Sequence, residues 1–349
     1  MDNRAYWYNW SNIFQKNLEI NFWNDELKIM NQCAPYNDKC NEKLIYWWHA
    51  HVLDVILDAY KRTGDEKYKS TFDLALNGTI SLNGGTLLHN WYDDMEWMAL
   101  ALLRAYDTFG DEKYKEGTLI LWEDIKTAWN SHMGGGMAWK KDQLDYKNTP
   151  ANAPAAILAA RLYKYFGSEE DLEWAKKIYN WNKDNLVDPK SGFVWDGLNR
   201  LGDGEIDKEW KYTYCQGVFL GAGVELYKIT KDESYLQDAL KTTEAAIKEL
   251  IDVNTGMLPD EGIDDAGLFK GIFVRYLIEL LEICPKLEEV KNSLVFNGEK
   301  LIKSGIDKKY GLASLNWCSE PNTPVQLSTQ LSAVMLIEML SVLESRNFL

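Results

Sequence analysis

The chain has 349 residues, and its 53 acidic and 38 basic side chains give a formal net charge of −15. This charge argues against nucleic acid or an anionic membrane surface as the main partner, because both are themselves negatively charged. No apolar run indicates a membrane span of roughly 18 residues, and the N-terminal MDNRAYWYNW lacks the apolar segment of a signal peptide. We therefore expect a cytoplasmic protein, and its charge is compatible with a neutral ligand.

The cysteine pattern gives no sign of a metal site. There are five cysteines, an odd number, and none has CxxC spacing. We expect free thiols in a reducing compartment, with a bridge between Cys33 and Cys40 as the alternative.

One turn recurs along a chain that is helical in pattern almost throughout. A glycine suited to closing a helix is followed by Asp or Ser suited to capping the next one. Each unit is therefore predicted to be a helix hairpin with a short loop. The turn reads YKRTGDEKY at 60–68, YDTFGDEKY at 106–114, YKYFGSEEDL at 163–172 and YKITKDESY at 227–235.

The helices before and after each turn differ in character. The first is apolar nearly all round, so neighbours should cover it on every side, whereas the second has one polar face. Six inner and six outer helices predict an all-α fold, an (α/α)6 barrel forming a single domain over 1–349, with an open solenoid as the alternative. The predicted inner helices span about 44–63, 93–109, 152–166, 215–229, 267–283 and 327–344, and the outer ones about 5–21, 66–76, 112–130, 169–185, 233–251 and 286–303.

The connections from each outer helix to the next inner helix are long and rich in Gly, Asn, Asp, Trp and Tyr. In an alternating hairpin array they all fall at one end, where function is expected. Asp93 and Asp94 lie at that end, at the start of the second inner helix, in HNWYDDMEW.

Two interpretations of this pair remain open. In the structural one, Asp93 caps the helix with Glu96 as its capping-box partner, and Asp94 interacts with the helix dipole. In the functional one, repulsion between adjacent carboxyls separates their pKa values and provides one acid and one base, as glycoside cleavage requires. Neighbouring residues favour the short carboxyl separation of retaining enzymes.

Other candidates face the same end. Asp196, beside Trp195 in FVWDGLNR, fits either a turn or an acid that contacts sugar hydroxyls. Tyr214 and Gln216 begin the fourth inner helix, and Asn152 at the start of the third fits either an N-cap or a binding residue.

Aromatic and histidine candidates complete the predicted site. Tyr92 and Trp139 could stack on sugar rings. His49 and His51 are two residues apart, which is not metal-ligand spacing on a helix, so we expect no metal and assign His51 to the lining of the pocket. We expect no cofactor.

These motifs resemble glycoside hydrolase family 76, the endo-α-1,6-mannanases, over roughly residues 40–340. The resemblance implies an (α/α)6 fold, a retaining double displacement and α-1,6-linked mannose chains as substrate. It further implies Asp93 as nucleophile, Asp94 as general acid and base, and Asp196 as the acid that holds the sugar in the −1 subsite. The family usually has Asn where this chain has Cys215. The segments that carry the resemblance are WYDDMEWMALALLRAYDTFGDEKY, GGGMAW, NTPANAPAAILAARLY, SGFVWDGLN and YTYCQGVFLGAGVELYKIT.

Three rival functions remain. An unsaturated glucuronyl hydrolase would want basic residues for a uronate, and an epimerase of N-acylglucosamine type would rely on paired histidines. A non-catalytic carbohydrate-binding protein would keep the groove without cleavage. In each case the expected partner is an oligosaccharide or sugar, and the sequence leaves the oligomeric state open.

Overall fold

The computed structural model describes residues 5–349, in which twelve α-helices alternate between buried and partly exposed ones. The chain divides into two compact units, residues 87–250 and residues 5–86 with 251–349. The expected single domain over 1–349 stays a prediction. The helices are α1 (Tyr6–Phe22), α2 (Tyr46–Thr63), α3 (Glu66–Leu82), α4 (Tyr92–Phe109), α5 (Glu112–Lys126), α6 (Thr149–Phe166), α7 (Glu169–Leu186), α8 (Thr213–Thr230), α9 (Glu233–Leu250), α10 (Ala266–Ile283), α11 (Glu288–Ser304) and α12 (Leu327–Ser345).

The two-segment unit is built around α12, which packs on α1, α2, α10 and α11. Among the described helices, α12 is the one long and apolar enough to cross a membrane. The sequence pattern indicated no apolar run of that length. Of the residues in the apolar stretch of α12, 89% are buried against the rest of the protein, as in a core helix. Two short antiparallel pairs complete this unit: β1 (Trp23–Asn24) with β2 (Ile29–Met30), and β3 (Cys33–Ala34) with β7 (Val325–Gln326).

The unit of residues 87–250 contains three helix hairpins, α4–α5, α6–α7 and α8–α9, with α6 packed against both α4 and α8. Its long connections form an antiparallel three-stranded sheet over the N-terminal ends of the inner helices. The strands are β4 (Ala138–Lys140), β5 (Gln143–Asn148) and β6 (Gly197–Leu198), in the order β4-β5-β6.

The recurring turn has the predicted chemistry. Gly64 closes α2 with φ of 66°, and the Asp65 side chain accepts a hydrogen bond from the Lys67 amide at 3.0 Å. The fourth copy replaces the glycine with Lys231, which takes the same left-handed conformation at φ of 59°. The turn sequence therefore fixes the hairpin geometry even where its glycine is missing.

All twelve predicted helices are present, with some differences at their ends. The predicted 66–76 helix continues to Leu82 through Gly78, where the backbone of Lys28 packs directly against the glycine and leaves no room for a Cβ. The predicted 112–130 helix ends earlier, at Lys126, where the chain turns toward the three-stranded sheet.

The expectation of five free thiols is wrong. Cys33 and Cys40 form a disulfide, while Cys215, Cys284 and Cys318 are free. The bridge closes a short loop in the connection between α1 and α2. The cytoplasmic location stays a prediction, and the bridge weakens it, because disulfides are typical of oxidising compartments.

Candidate active site

The adjacent aspartates lie inside the first turn of α4 and do not cap it. Trp91 occupies the N-cap position, and no side chain accepts a capping hydrogen bond there. The capping-box interpretation is therefore wrong, since Asp93 and Asp94 are both helical and Glu96 turns into the core. Two half-buried carboxyls are left at the positive end of a helix dipole, where anions are stabilised.

Asp93 is held by two donors. Its Oδ1 accepts the Asp94 amide at 3.0 Å, and its Oδ2 accepts the indole Nε1–H of Trp139 at 3.0 Å. The Trp139 ring meets Tyr146 edge-on, with ring centroids 5.6 Å apart. Both donors favour the carboxylate form of Asp93 and fix its orientation.

The segment that carries Trp139 is held in place by two buried side chains, Trp181 and Lys147. Gly136, at φ of 83°, packs against the Trp181 ring so closely that any Cβ would overlap it. Its carbonyl accepts the Nζ of the buried Lys147 at 2.8 Å. Burial lowers the pKa of Lys147 to about 7. The GGGMAW motif is therefore needed for the close approach that places Trp139 beside Asp93.

Asp94 has a different neighbour. The Nδ1 of His89 lies 3.2 Å from Asp94 Oδ2, with 17% and 14% of the two side chains exposed. Burial lowers the pKa of His89, an effect that Asp93 opposes and Lys141 adds to. The imidazole is accordingly neutral at pH 7 and can accept from a protonated Asp94 or donate to an ionised one.

Glu96 is a third acid beside the pair. It follows Asp93 by three residues, so it lies on the same side of α4, and it is fully buried. Burial raises the pKa of Glu96 well above its ordinary value. The charges of Asp93 and Asp94 raise it further, while the Ala155 amide opposes them. Burial and the neighbouring charges thus favour the neutral form of Glu96 and disfavour a third negative charge in the cluster.

Asp196 forms a second acidic centre of this unit, 3% exposed. Its Oδ2 accepts the Tyr146 hydroxyl at 3.1 Å, and its Oδ1 accepts the Tyr214 hydroxyl at 2.9 Å and the Cys215 thiol at 3.5 Å. Burial raises the pKa of Asp196, and these three donors oppose the rise. Because Tyr146 also contacts Trp139, one aromatic pair connects Asp196 to Asp93.

Gln216 and Asn152 both bind backbone. Gln216 accepts the Val194 amide at 2.9 Å and donates to the Val194 carbonyl at 2.7 Å. Asn152 accepts the Met137 amide at 2.8 Å and is not an N-cap, because Asn148 caps α6. Both side chains are fully buried and hold the loops that carry Trp195 and Trp139. A direct contact of either with substrate stays a prediction.

The remaining candidates are dispersed. Trp195 is half-buried, with Lys208 Nζ 5.2 Å from its ring, and Tyr92 is buried with its hydroxyl 3.1 Å from Thr127 Oγ1. His51 lies on α2 in the other unit, buried, with Nδ1 3.5 Å from Asp54. Its role in lining a pocket stays a prediction. Within residues 5–349 no group of three or more His, Cys, Asp or Glu side chains is arranged to hold a metal ion.

Sequence reasoning missed three residues of this site. The signal for Glu96 was an acid in the otherwise apolar MEWMALALL, three residues after Asp93. His89 had a weaker signal, its position just before the aspartates. Tyr146 had no signal, because strand pairing brings it to Asp196 from 50 residues away.

Comparison with solved structures shows close likeness over the whole chain. The alpha-1,6-mannanase GH76A of Salegentibacter sp. HEL1_6 is 41% identical, with a TM-score of 0.90 over 97% of this chain and 99% of that one. An inactive variant of that enzyme, with two consecutive aspartates replaced by alanine, has been solved with alpha-1,6-mannotetrose (TM-score 0.91). The Lin0763 protein of Listeria innocua is 40% identical, with a TM-score of 0.93 over 97% of this chain and 98% of that one. These likenesses confirm the (α/α)6 barrel.

Sequence comparison also finds relatives that are named as α-1,6-mannan-cleaving enzymes. Mannan endo-1,6-alpha-mannosidase DCW1 of Candida glabrata is 25% identical over 272 residues, 70% of this chain and 60% of that protein. The chain thus spans about 60% of the length of the first yeast relatives it matches. The family model Glycosyl hydrolase family 76 matches residues 7–349. The chain belongs to glycosyl hydrolase family 76.

Proposed function

We propose that this chain is a retaining glycoside hydrolase that cleaves α-1,6-linked mannose oligosaccharides. The observation that carries the proposal is the Asp93–Asp94 pair, two half-buried carboxyls at one helix N-terminus with different partners. The substrate class rests on the relatives, which include an α-1,6-mannanase over 40% identical and its complex with a mannooligosaccharide.

In the first step Asp93 attacks the anomeric carbon and forms a covalent glycosyl ester. The Trp139 N–H and the α4 dipole keep its carboxylate ionised and oriented for the attack. Asp94 donates its proton to the departing glycosidic oxygen, so that the leaving sugar departs as a neutral alcohol.

In the second step Asp94, now a carboxylate, removes a proton from water, and the resulting hydroxide displaces Asp93 from the anomeric carbon. Two inversions retain the configuration of the sugar. The neutral His89 supports both stages, since its Nδ1 can pair with either form of Asp94.

Asp196 binds the sugar undergoing cleavage. Its Oδ1 already accepts from Tyr214 and Cys215, whereas its Oδ2 accepts from Tyr146 and keeps a lone pair for a sugar hydroxyl. A neutral substrate suits a chain of net charge −15. The acidic residues at the site would repel a negatively charged uronate. They therefore argue against an unsaturated glucuronyl hydrolase.

The direct test is the variant Asp94→Asn assayed on α-1,6-mannotetraose. We expect wild type to release reducing sugars that first appear as the α anomer in NMR spectra, and Asp94→Asn to lose at least about a hundredfold in kcat while still binding the ligand. Asp142→Asn, at an exposed carboxylate of the same unit, serves as the control and should retain full activity.

Three results would count against the proposal. Initial release of the β anomer would mean inversion. Full activity of Asp94→Asn would remove that residue from the chemistry. Binding of α-1,6-mannotetraose by wild type without any reducing-sugar release would indicate a carbohydrate-binding protein.

A further inference from the structure

A row of aromatic rings leads away from Asp196. Tyr214, whose hydroxyl binds Asp196, has its ring centroid 6.0 Å from that of Tyr212, which is 6.1 Å from that of Trp210. The rings meet at steep angles, 60° and 61°. The row runs from a buried hydroxyl to Trp210, which is 36% exposed.

The loop that presents this row is firmly held. Asn199 accepts the Gly204 amide at 2.8 Å and donates to the Asp145 carbonyl at 3.1 Å. The amide of Asp207 donates to the Gly197 carbonyl at 2.9 Å. At the far end, Gln216 Nε2 donates to the Tyr212 carbonyl at 3.1 Å. The exposed indole therefore sits on a preorganised support, which reduces the entropy lost on binding a ligand.

The Trp210 ring itself is fixed on one side. The guanidinium of Arg200 lies over the ring at 4.0 Å, and Asp207 holds that guanidinium at 3.1 Å. This stacking covers one face of the indole and fixes its tilt. The side chain nevertheless stays one-third exposed, so apolar ring surface remains open to solvent next to the site.

We propose that Trp210 and Tyr212 form a binding subsite for the sugar residues of an α-1,6-mannooligosaccharide that lie beyond the one bound at Asp196. This inference rests on the proposed function and extends it to substrate length. Pyranose rings have flat C–H faces that pack on aromatic rings, and the exposed Trp210 with its neighbour Tyr212 offers such ring surface beside the tyrosine that binds Asp196.

The charges of the loop agree with a neutral ligand. Arg200 and Asp207 neutralise each other, and Lys211 pairs with Glu249 at 2.8 Å. The other charged side chains of the loop, Asp203, Glu205, Lys208 and Glu209, are three acids and one base, so the loop has no positive excess that would select a phosphate or a carboxylate. Its contribution should be apolar contact, which discriminates by ligand length rather than by charge.

The test measures binding in the Asp94→Asn background, where cleavage does not interfere. Dissociation constants for α-1,6-mannobiose, mannotetraose and mannohexaose are compared between Asp94→Asn and Asp94→Asn with Trp210→Ala. We expect Trp210→Ala to weaken hexaose binding about tenfold and to leave mannobiose binding within about twofold. Trp210→Phe should recover most of the loss, because it keeps an aromatic face.

Leu201→Ala is the matched control, an apolar truncation in the same loop at a side chain that is 73% exposed. It should change none of the three affinities. Equal weakening for all three lengths, or no weakening for hexaose, overturns the subsite.

The proposed function is tested separately by the wild type. If wild type cleaves nothing but Trp210 still sets a length-dependent affinity, the subsite stands and the catalytic proposal falls. If wild type cleaves mannotetraose but Trp210→Ala weakens binding equally at every ligand length or not at all, the catalytic proposal stands and the subsite falls.

Discussion

At the scale of single residues, the site separates three neighbouring acids by their surroundings. Asp93 receives an indole N–H, Asp94 faces an imidazole, and Glu96 is fully buried. Placing a third charge next to two carboxyls is costly, and burial together with the charges of Asp93 and Asp94 raises the pKa of Glu96, which favours its protonated form. The first turn of α4 can therefore hold two carboxyls side by side with less repulsion than three charged ones would cause.

Glu96→Gln tests this protonation state. A raised pKa in the folded state means that the native protein binds the extra proton, so its stability is highest at low pH and declines as pH rises above the ordinary Glu value toward the raised one. The variant lacks this decline. We expect its free energy of unfolding, relative to wild type, to increase between pH 5 and pH 8 in urea titrations.

Because Gln is neutral like the protonated acid, kcat/KM at pH 7 should fall by less than about tenfold. A stability difference between variant and wild type that is the same at pH 5 and pH 8 would mean that Glu96 is ionised in the folded protein.

The sequence identified the acids but not their surroundings. The Asp-Asp dipeptide and Asp196 could be selected because each follows an aromatic residue at the end of the helical array where the long connections meet. The capping box failed because the N-cap is Trp91, two residues before Asp93, which moves both aspartates into the first turn. The partners His89 and Tyr146 depend on loop and strand geometry that no local pattern encodes.

At the scale of elements, the hairpin turn repeats down to its side-chain contacts. The tyrosine that opens each turn donates to the glutamate six residues on, as Tyr60 does to Glu66 at 3.0 Å and Tyr227 to Glu233 at 3.3 Å. The fourth copy departs in one place, where Lys231 takes the left-handed conformation that glycine adopts without strain.

Lys231→Gly should therefore stabilise the protein. Removing the Cβ relieves a left-handed strain at an exposed position, and the expected gain in free energy of unfolding is about 0.5–1 kcal/mol. The matched change is Gly110→Ala, at the same position of the second copy, where φ is 69° and no atom lies within 4 Å of the added Cβ. It should cost about 1 kcal/mol from backbone strain alone. Thermal melting measures both, and shifts of the same sign would contradict this account.

Helices with a periodic apolar pattern were predictable from the sequence. Short strands that exist only through pairing with another strand were not. The inner helices α4 and α8 are long apolar runs closed by the same turn, so their pattern identifies them. The two-residue strand β6 has no period to detect, and only pairing with β5 defines it. The loops that position Trp139 and Trp195 were accordingly predicted as loops, without their geometry.

At the scale of the whole molecule, the acidic excess stays largely at the surface, while some charges are buried in both units as pairs. Arg161 binds Glu225 at 3.1 Å in the unit of residues 87–250. Arg275 binds Asp58 in the other unit through both guanidinium nitrogens, at 3.2 and 2.6 Å. Such pairs cost desolvation, which close two-point contact offsets.

Arg275→Met should destabilise the protein strongly, because it leaves the carboxylate of Asp58 buried without its guanidinium. The side chains of the pair are only 10% and 6% exposed, so water cannot substitute, and the expected loss in free energy of unfolding is about 3–5 kcal/mol.

Lys211→Ala breaks an ion pair whose side chains are 48% and 32% exposed and should cost less than about 1 kcal/mol. Adding Asp58→Leu to Arg275→Met should recover much of the loss, since both charges are then gone. Urea unfolding of the four proteins decides the matter: if Arg275→Met costs no more than Lys211→Ala, the buried pair is not what holds α2 to α10.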